Sequence, residues 1–260
     1  MTTPDESTIA LPAEVLTAVQ GARRVLVLTG AGMSAESGVP TFRDAQSGLW
    51  EHFDPSQLAT QEAWGEDPPF VWAWYAWRMQ LVRDVDPNAG HRALADLAAL
   101  REVMIVTQNV DDLHERAGSS VTAHVHGRLG ELRCADCGAP YTAEVSLPVE
   151  PMERIDPPTC PECEGDVRPG VVWFGEMLPD AAVAATDAAI DTLEPGDVAL
   201  VVGTSGVVYP AAGYPAMARA EGATVIEINP TETEISDMCD HHVRGPAAEV
   251  LPALVAGLTG

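Results

Sequence analysis

The sequence predicts an α/β protein: a parallel sheet covered by helices on both faces, with insertions that make a smaller second domain. Three observations predict it. Short apolar, β-branched runs at Arg23–Thr29, Val103–Thr107, Val198–Val202 and Thr224–Ile228 alternate with alanine-rich helical stretches at 91–100, 181–193 and 211–221, the pattern of strands buried on both faces. Residues 44–89 hold five of the six tryptophans and read as helices and loops. Residues 128–170 carry four of the five cysteines and many prolines. The expected division is 1–43, 90–127 and 171–260 for the sheet domain. A helical insertion at 44–89 and a cysteine-bearing module at 128–170 would together form the small domain. No internal repeat or low-complexity tract interrupts this reading.

In chain order, apolar residues recur at helical spacing from Leu11 to Gly21, and the strand Arg23–Thr29 then enters a glycine turn. Gly30-Ala31-Gly32-Met33-Ser34-Ala35 is the G-x-G-x-x-A form of a dinucleotide loop, where small residues let the backbone approach a pyrophosphate. Glycines after a strand also serve as a plain tight turn, and the acidic residue expected about 20 positions on is missing. Glu36 to Arg43 is too polar for a buried helix and is broken by Pro40, so a loop over the pocket is expected. Arg43 reads as a solvated charge or as a phosphate ligand.

Tyr75 and Arg78 stand three apart on a predicted helix and share a face, as an amphipathic aromatic helix would also arrange them. Gln108-Asn109-Val110-Asp111 follows a strand, where open α/β sheets place ligands; helix capping is the plain alternative for Asp111. His126 ends His124-Val125-His126-Gly127 after another short strand, as a hydrogen-bonded core histidine or as a base. Cys134-x-x-Cys137 and Cys160-x-x-Cys163 bring two thiolate pairs toward one point, a closed tetrahedral Zn2+ site that is structural because no coordination position stays open. Cys239 stands alone as a small packed residue. Val172-Trp173-Phe174-Gly175-Glu176 is expected to be extended at the domain border. Gly203-Thr204-Ser205 and Asn229-Pro230-Thr231 are polar turns at consecutive strand ends, suited to ribose and adenine or to ordinary turn chemistry.

Composition limits the function. The 260 residues hold 39 Asp and Glu against 14 bases, a net charge of −25, and every base is arginine. That balance disfavours a nucleic-acid or membrane surface. No run reaches the roughly 20 apolar residues of a membrane span, and the first residues do not read as a secretory signal, so a cytoplasmic location is expected. Self-repulsion at this charge density is weak only where salt screens it, with a Debye length of about 3 Å at 1 M. A halophilic, salt-rich cytosol is therefore expected.

Taken together, GAGMSAESGVPTFR, QNVDDLHERAG, HVHG, the four cysteines, VVWFGE, GTSGVVYPAA and the Asn229 strand end resemble the sirtuins, NAD-dependent protein-lysine deacylases, from about Val25 to about Leu251. The resemblance implies a Rossmann-like domain, a zinc-binding small domain and a cleft between them. It implies that Gly30, Ala31, Gly32, Ser34, Glu36, Pro40, Thr41, Phe42 and Arg43 line an NAD site. Gln108, Asn109 and Asp111 would hold its nicotinamide end, and Gly203, Thr204, Ser205, Asn229 and Ala247 its adenosine end. It implies that His126 is the general base, activating a ribose hydroxyl after the acyl oxygen has displaced nicotinamide. Val172, Phe174, Gly175 and Glu176 would pair with an acylated-lysine peptide. Tyr75-x-x-Arg78, with Thr41 and Ala59, matches the sirtuin class that removes succinyl, malonyl or glutaryl groups, the arginine holding the acyl carboxylate. Mono-ADP-ribosyl transfer or a non-catalytic zinc-knuckle module are the competing readings, and the oligomeric state is open.

Overall fold

The computed structural model describes residue 9, residues 11–40 and residues 55–259. Six strands form one parallel sheet: β1 (Arg24–Thr29), β2 (Glu102–Thr107), β3 (Val121–His124), and then β7 (Val198–Val202), β8 (Thr224–Ile228) and β9 (His241–Val243), in the spatial order β3-β2-β1-β7-β8-β9. The direction of winding reverses between β1 and β7, which is where a doubly wound sheet opens a crevice at its carboxyl edge.

Both faces of the sheet are buried, and β1 shows how. Val25 and Val27 pack into a core beneath α1 (Ala13–Gly21), α5 (Ala89–Leu97) and α9 (Ala247–Thr259). Leu26 and Leu28 point the other way, into the core with α7 (Asp180–Asp191) and α8 (Tyr214–Ala220). Two-sided burial of a period-2 chain accounts for the unbroken apolar runs in the sequence. The strands end in polar residues that meet across the sheet: Thr29 is in register with Thr107, and its hydroxyl donates to Thr107 Oγ1 at 2.8 Å.

The remaining strands, β4 (Gly127–Cys134), β5 (Pro140–Tyr141) and β6 (Val167–Val171), make an antiparallel sheet in the order β5-β4-β6. Its apolar face shares a third core with the helices α2 (Pro55–Leu58), α3 (Gln61–Glu66) and α4 (Pro68–Asp84): Trp72, Trp74 and Tyr75 pack with Leu129, Val171 and Trp173. The start of α4 is written locally. The Asp67 side chain accepts the Phe70 N–H at 3.2 Å, and Pro68 and Pro69 occupy first-turn positions that need no donor. A short helix, α6 (Leu113–Arg116), follows the Gln108–Asp111 loop. No helix among the described residues is long and apolar enough to cross a membrane.

One expectation changes and one element is added. The segment after β6 is not a continuous strand: Phe174 makes an isolated parallel bridge to Thr60. Gly175 then turns the chain at φ +85°, a conformation glycine adopts without strain. The carboxy-terminal run, for which the sequence reading named no element, is α9, an apolar helix with Pro252 inside it.

Candidate active site and metal centre

The carboxyl ends of β1, β2, β3, β7 and β8 gather the polar residues singled out in the sequence. The Gly30–Met33 loop packs backbone to backbone against the end of β7, with Gly32 N donating to Gly203 O at 2.8 Å. A Cβ on Gly32 would lie 2.8 Å from Gly203 Cα, one on Gly30 2.8 Å from Thr204 Cα, and Gly203 itself has φ +61°. The glycines are therefore required by this loop-to-loop contact before any pyrophosphate is considered.

From that contact a hydrogen-bond chain crosses the site. Asn229 Nδ2 donates to Thr204 O at 2.9 Å, and Gln108 Nε2 donates to Thr204 Oγ1 at 3.1 Å. The Gln108 carbonyl lies 3.1 Å from His126 Nδ1. A carbonyl only accepts, so Nδ1 carries the proton and Nε2 keeps its lone pair. Burial lowers the His126 pKa, opposed by this hydrogen bond, so the imidazole is neutral at pH 7.

Beneath this chain lies a second one. Ser34 Oγ donates to Asp111 Oδ2 at 2.9 Å and accepts from Asn109 Nδ2 at 3.1 Å. Asp111 also accepts the Leu113 N–H at 3.1 Å, so it caps the local turn while holding Ser34. Burial raises its pKa. Asn109 N donates to Thr107 Oγ1 at 3.0 Å, and Thr29 Oγ1 lies 3.2 Å from His114 Nε2. His114 in turn meets His91 edge to face at 4.9 Å. Neither histidine was singled out from sequence. The available signal was a polar residue closing each buried strand at Thr29 and Thr107.

The histidine pair makes stability depend on pH. Burial holds His91 at a pKa of about 4 and His114 at about 3, below the ordinary value of about 6.5. The unfolded chain therefore takes up two protons that the folded chain refuses, and stability falls as pH drops from about 6.5 toward about 4. The slope approaches about 2.7 kcal/mol per pH unit for two groups. Urea unfolding at about pH 7 and pH 5.5 should show this loss, and the His91→Gln/His114→Gln double variant should flatten it. An unchanged slope in that variant refutes the assignment.

The other predicted residues are placed as follows. Ala31 lies in the 3-10 turn after Gly30, and Glu36 is exposed in the next such turn. Pro40 is half-buried at the edge of the described residues, and Thr41, Phe42 and Arg43 lie outside them. Ser205 lies beyond Thr204 in the β7 loop, its carbonyl accepting Glu234 N at 3.4 Å. Ala247 starts α9, buried against the α5 start, where a Cβ on Gly90 would lie 2.9 Å from its carbonyl oxygen. Val172 N donates to His126 O and Phe174 N to Ala59 O, each at 2.9 Å. Strand pairing by this segment would thus use its remaining carbonyls and Gly175. Glu176 is held by Arg168 at 2.5 Å and by the Trp173 backbone N–H at 2.8 Å.

On α4, Tyr75 and Arg78 are both buried. The Tyr75 hydroxyl accepts from Trp173 Nε1 at 2.9 Å. The Arg78 guanidinium lies over the Trp74 ring at 5.1 Å. Burial lowers the Arg78 pKa, while the nearby charges of Tyr75 and Asp111 act to raise it.

The four predicted cysteines converge: their Sγ atoms all lie within 4.8 Å of one another. Cys134 and Cys163 are 3.4 Å apart, Cys137 and Cys160 3.8 Å, against about 3.8 Å between sulfurs of a tetrahedron with Zn–S bonds of about 2.3 Å. Backbone N–H groups of Asp136 and Glu162 point at Cys134 and Cys160 at 3.4 Å. The donor set fits one zinc ion with no open position.

The profile of the Sir2 family matches residues 30–210. The chain belongs to the Sir2 family. A Pseudomonas aeruginosa relative, NAD-dependent protein deacylase 1, is 52% identical over 244 residues, covering 93% of this chain and 96% of its own. A Sir2 homologue solved as an NAD complex superposes with a TM-score of 0.87 at 40% identity, over 98% of this chain and 96% of that one. A variant Sir2 homologue in complex with 2′-O-acetyl ADP-ribose superposes at 0.87 and 42% identity, over 96% and 97%. In Sir2-family terms the chain has a Rossmann-like parallel sheet whose switch point carries the site, and a four-cysteine centre beside it.

Proposed function

We propose that this Sir2-family protein is an NAD-dependent protein-lysine deacylase, acting on acetyl-lysine and on the acidic acyl-lysines, succinyl and malonyl above all. The observation that carries the reading is the chain Asn229–Thr204–Gln108–His126, which ends in a neutral imidazole whose Nε2 lone pair takes no hydrogen bond among the described residues. It agrees with relatives that are NAD-dependent protein deacylases.

NAD, when bound, would supply both the ribose carbon from which nicotinamide departs and the ribose hydroxyl that takes the acyl group, giving an O-acyl ADP-ribose. The residues of this chain do the rest. Ser34, Asn109 and Asp111 orient the nicotinamide end, Thr204 and Asn229 the adenosine end, and Gly30, Gly32 and Gly203 hold the loops that frame them. His126 Nε2 takes a proton from a ribose hydroxyl, which a neutral imidazole can do near pH 7. The edge at Val172, Phe174 and Gly175 receives the peptide through main-chain pairing, which asks little of its sequence. In this reading the insertions at 44–89, described from residue 55, and at 128–170 would make up the small domain, with Tyr75, Arg78 and the four zinc-binding cysteines.

Arg78 gives the acyl reading its test. A carboxylate paired with a buried guanidinium gains about 1.5–3 kcal/mol from a charged hydrogen bond, so Arg78→Met should lower kcat/KM for succinyl-lysine peptide about 10- to 100-fold. The acetyl-lysine rate should fall much less. An equal loss on both peptides contradicts a carboxylate-binding role.

The charge of −25 supports a salt-rich cytosol, and cysteines gathered as thiol ligands rather than bridged suit a reducing compartment. Raising KCl from about 0.1 M to about 1 M shortens the Debye length from about 10 to about 3 Å. The denaturation midpoint should rise accordingly. A midpoint indifferent to salt removes the halophilic reading.

A further inference from the structure

Trp173 sits inside the Val172–Glu176 segment, buried, and is held on several sides. Glu176 grips Arg168 through both oxygens, at 2.5 and 3.0 Å, and both side chains are buried. The Arg168 guanidinium carbon lies 3.2 Å from the Trp173 ring centroid, so a paired cation is pressed flat on the indole. Glu176 also accepts the Trp173 backbone N–H at 2.8 Å. Trp64 packs against the same ring at 5.5 Å. With its main chain and ring held, the indole aims Nε1–H at the Tyr75 oxygen, 2.9 Å away.

Chemistry fixes the direction of that bond. An indole nitrogen only donates, so the phenol oxygen accepts and the proton of Tyr75 itself must point elsewhere. Among the described residues no acceptor takes it. Burial raises the Tyr75 pKa, so the phenol keeps this proton. Three residues on, Arg78 supplies a cation on the same helix.

We infer that Trp173 is a positioning residue for acyl selectivity: by donating to the Tyr75 oxygen, it turns the Tyr75 hydroxyl outward as a donor to the carboxylate of an acidic acyl chain. The Arg168–Glu176 pair acts through it by fixing the indole. This rests on the acidic-acyl reading of Tyr75 and Arg78. It also joins two parts of substrate recognition, because the segment offered to the peptide main chain is the one that sets the acyl contact.

The test is the ratio of kcat/KM for succinyl-lysine over acetyl-lysine peptide in the full-length zinc-loaded protein, with Trp173→Phe, Tyr75→Phe, the double variant and Arg78→Met. The ratio should fall about ten-fold in Trp173→Phe, the scale of one charged hydrogen bond, through a raised KM for the succinyl peptide. In the Tyr75→Phe background the same change should have almost no further effect, since the two side chains act as one unit. If Trp173→Phe does not fold, benzothienylalanine at position 173, which deletes only the N–H, reads the same ratio. An unchanged ratio on loss of the N–H, or additive losses in the double variant, overturns the inference while the Arg78→Met loss stands. No loss of ratio in Arg78→Met sinks the acidic-acyl reading itself.

Discussion

His126→Tyr should lower kcat for acyl removal by about 10³-fold while leaving the melting temperature within a few degrees. The ring contributes two things that tyrosine cannot restore. One is the Nδ1–H bond to the Gln108 carbonyl at 3.1 Å, which fixes the tautomer; the other is the Nε2 lone pair that results. The fold loses little, because Gln108 stays anchored through its own N–H to Thr29 O and its side chain to Thr204. The wild-type pH profile offers a second reading of the same residue. Since burial lowers the His126 pKa, the acid limb of kcat/KM should lie below the ordinary imidazole value of about 6.5. The active base form is present above that limb and lost as pH falls through it. Turnover persisting in the tyrosine variant, or an acid limb above about 6.5, assigns the base to another group.

The central strands of the parallel sheet, β1, β7 and β8, were legible because they are buried on both faces, which leaves short apolar, β-branched runs; Val198–Val202 and Thr224–Ile228 were located to the residue. β9 escaped because His241–Val243 is three residues long and half polar. α9 escaped because Pro252 and a nearly all-apolar run hide its period. The zinc ligands were legible because metal coordination demands fixed spacing within each pair. Trp173, Arg168, His91 and His114 were not, since what makes them matter is a partner far away in sequence: Tyr75 for Trp173, Thr29 for His114. The glycines at 30 and 32 were found for a different reason than the one the structure gives, the close approach of Gly203 and Thr204 rather than a phosphate alone.

Stripping the zinc should abolish activity on every acyl-lysine peptide while most of the helical signal survives. The reason lies in how little else holds the knuckles. Around the cysteines the buried apolar residues are Cys134, Cys160 and Val167, with only Leu132, Ala139 and Tyr141 partly buried against them. A core that small cannot offset the ordering of the loops from 134 to 167, nor the crowding of four sulfurs within 4.8 Å. The metal must do so, and structural zinc contributes about 10–16 kcal/mol at sites of this kind. Loss should then spread along β4 and β6, which pair from Cys134–Val167 to Gly127–Val171. Beyond that pairing, Val172 N donates to His126 O and Trp173 to Tyr75. The base and the acyl pocket would both lose their support, so acetyl and succinyl activities should fall together, unlike the selective loss in Arg78→Met. The parallel sheet keeps its own two cores and should unfold later, as a separate transition. Metal analysis should find one zinc per chain, and Cys160→Ala should reproduce the chelated state. A chelated protein that retains full activity, or a preparation without zinc that is fully active, would show that the four cysteines hold their loops unaided.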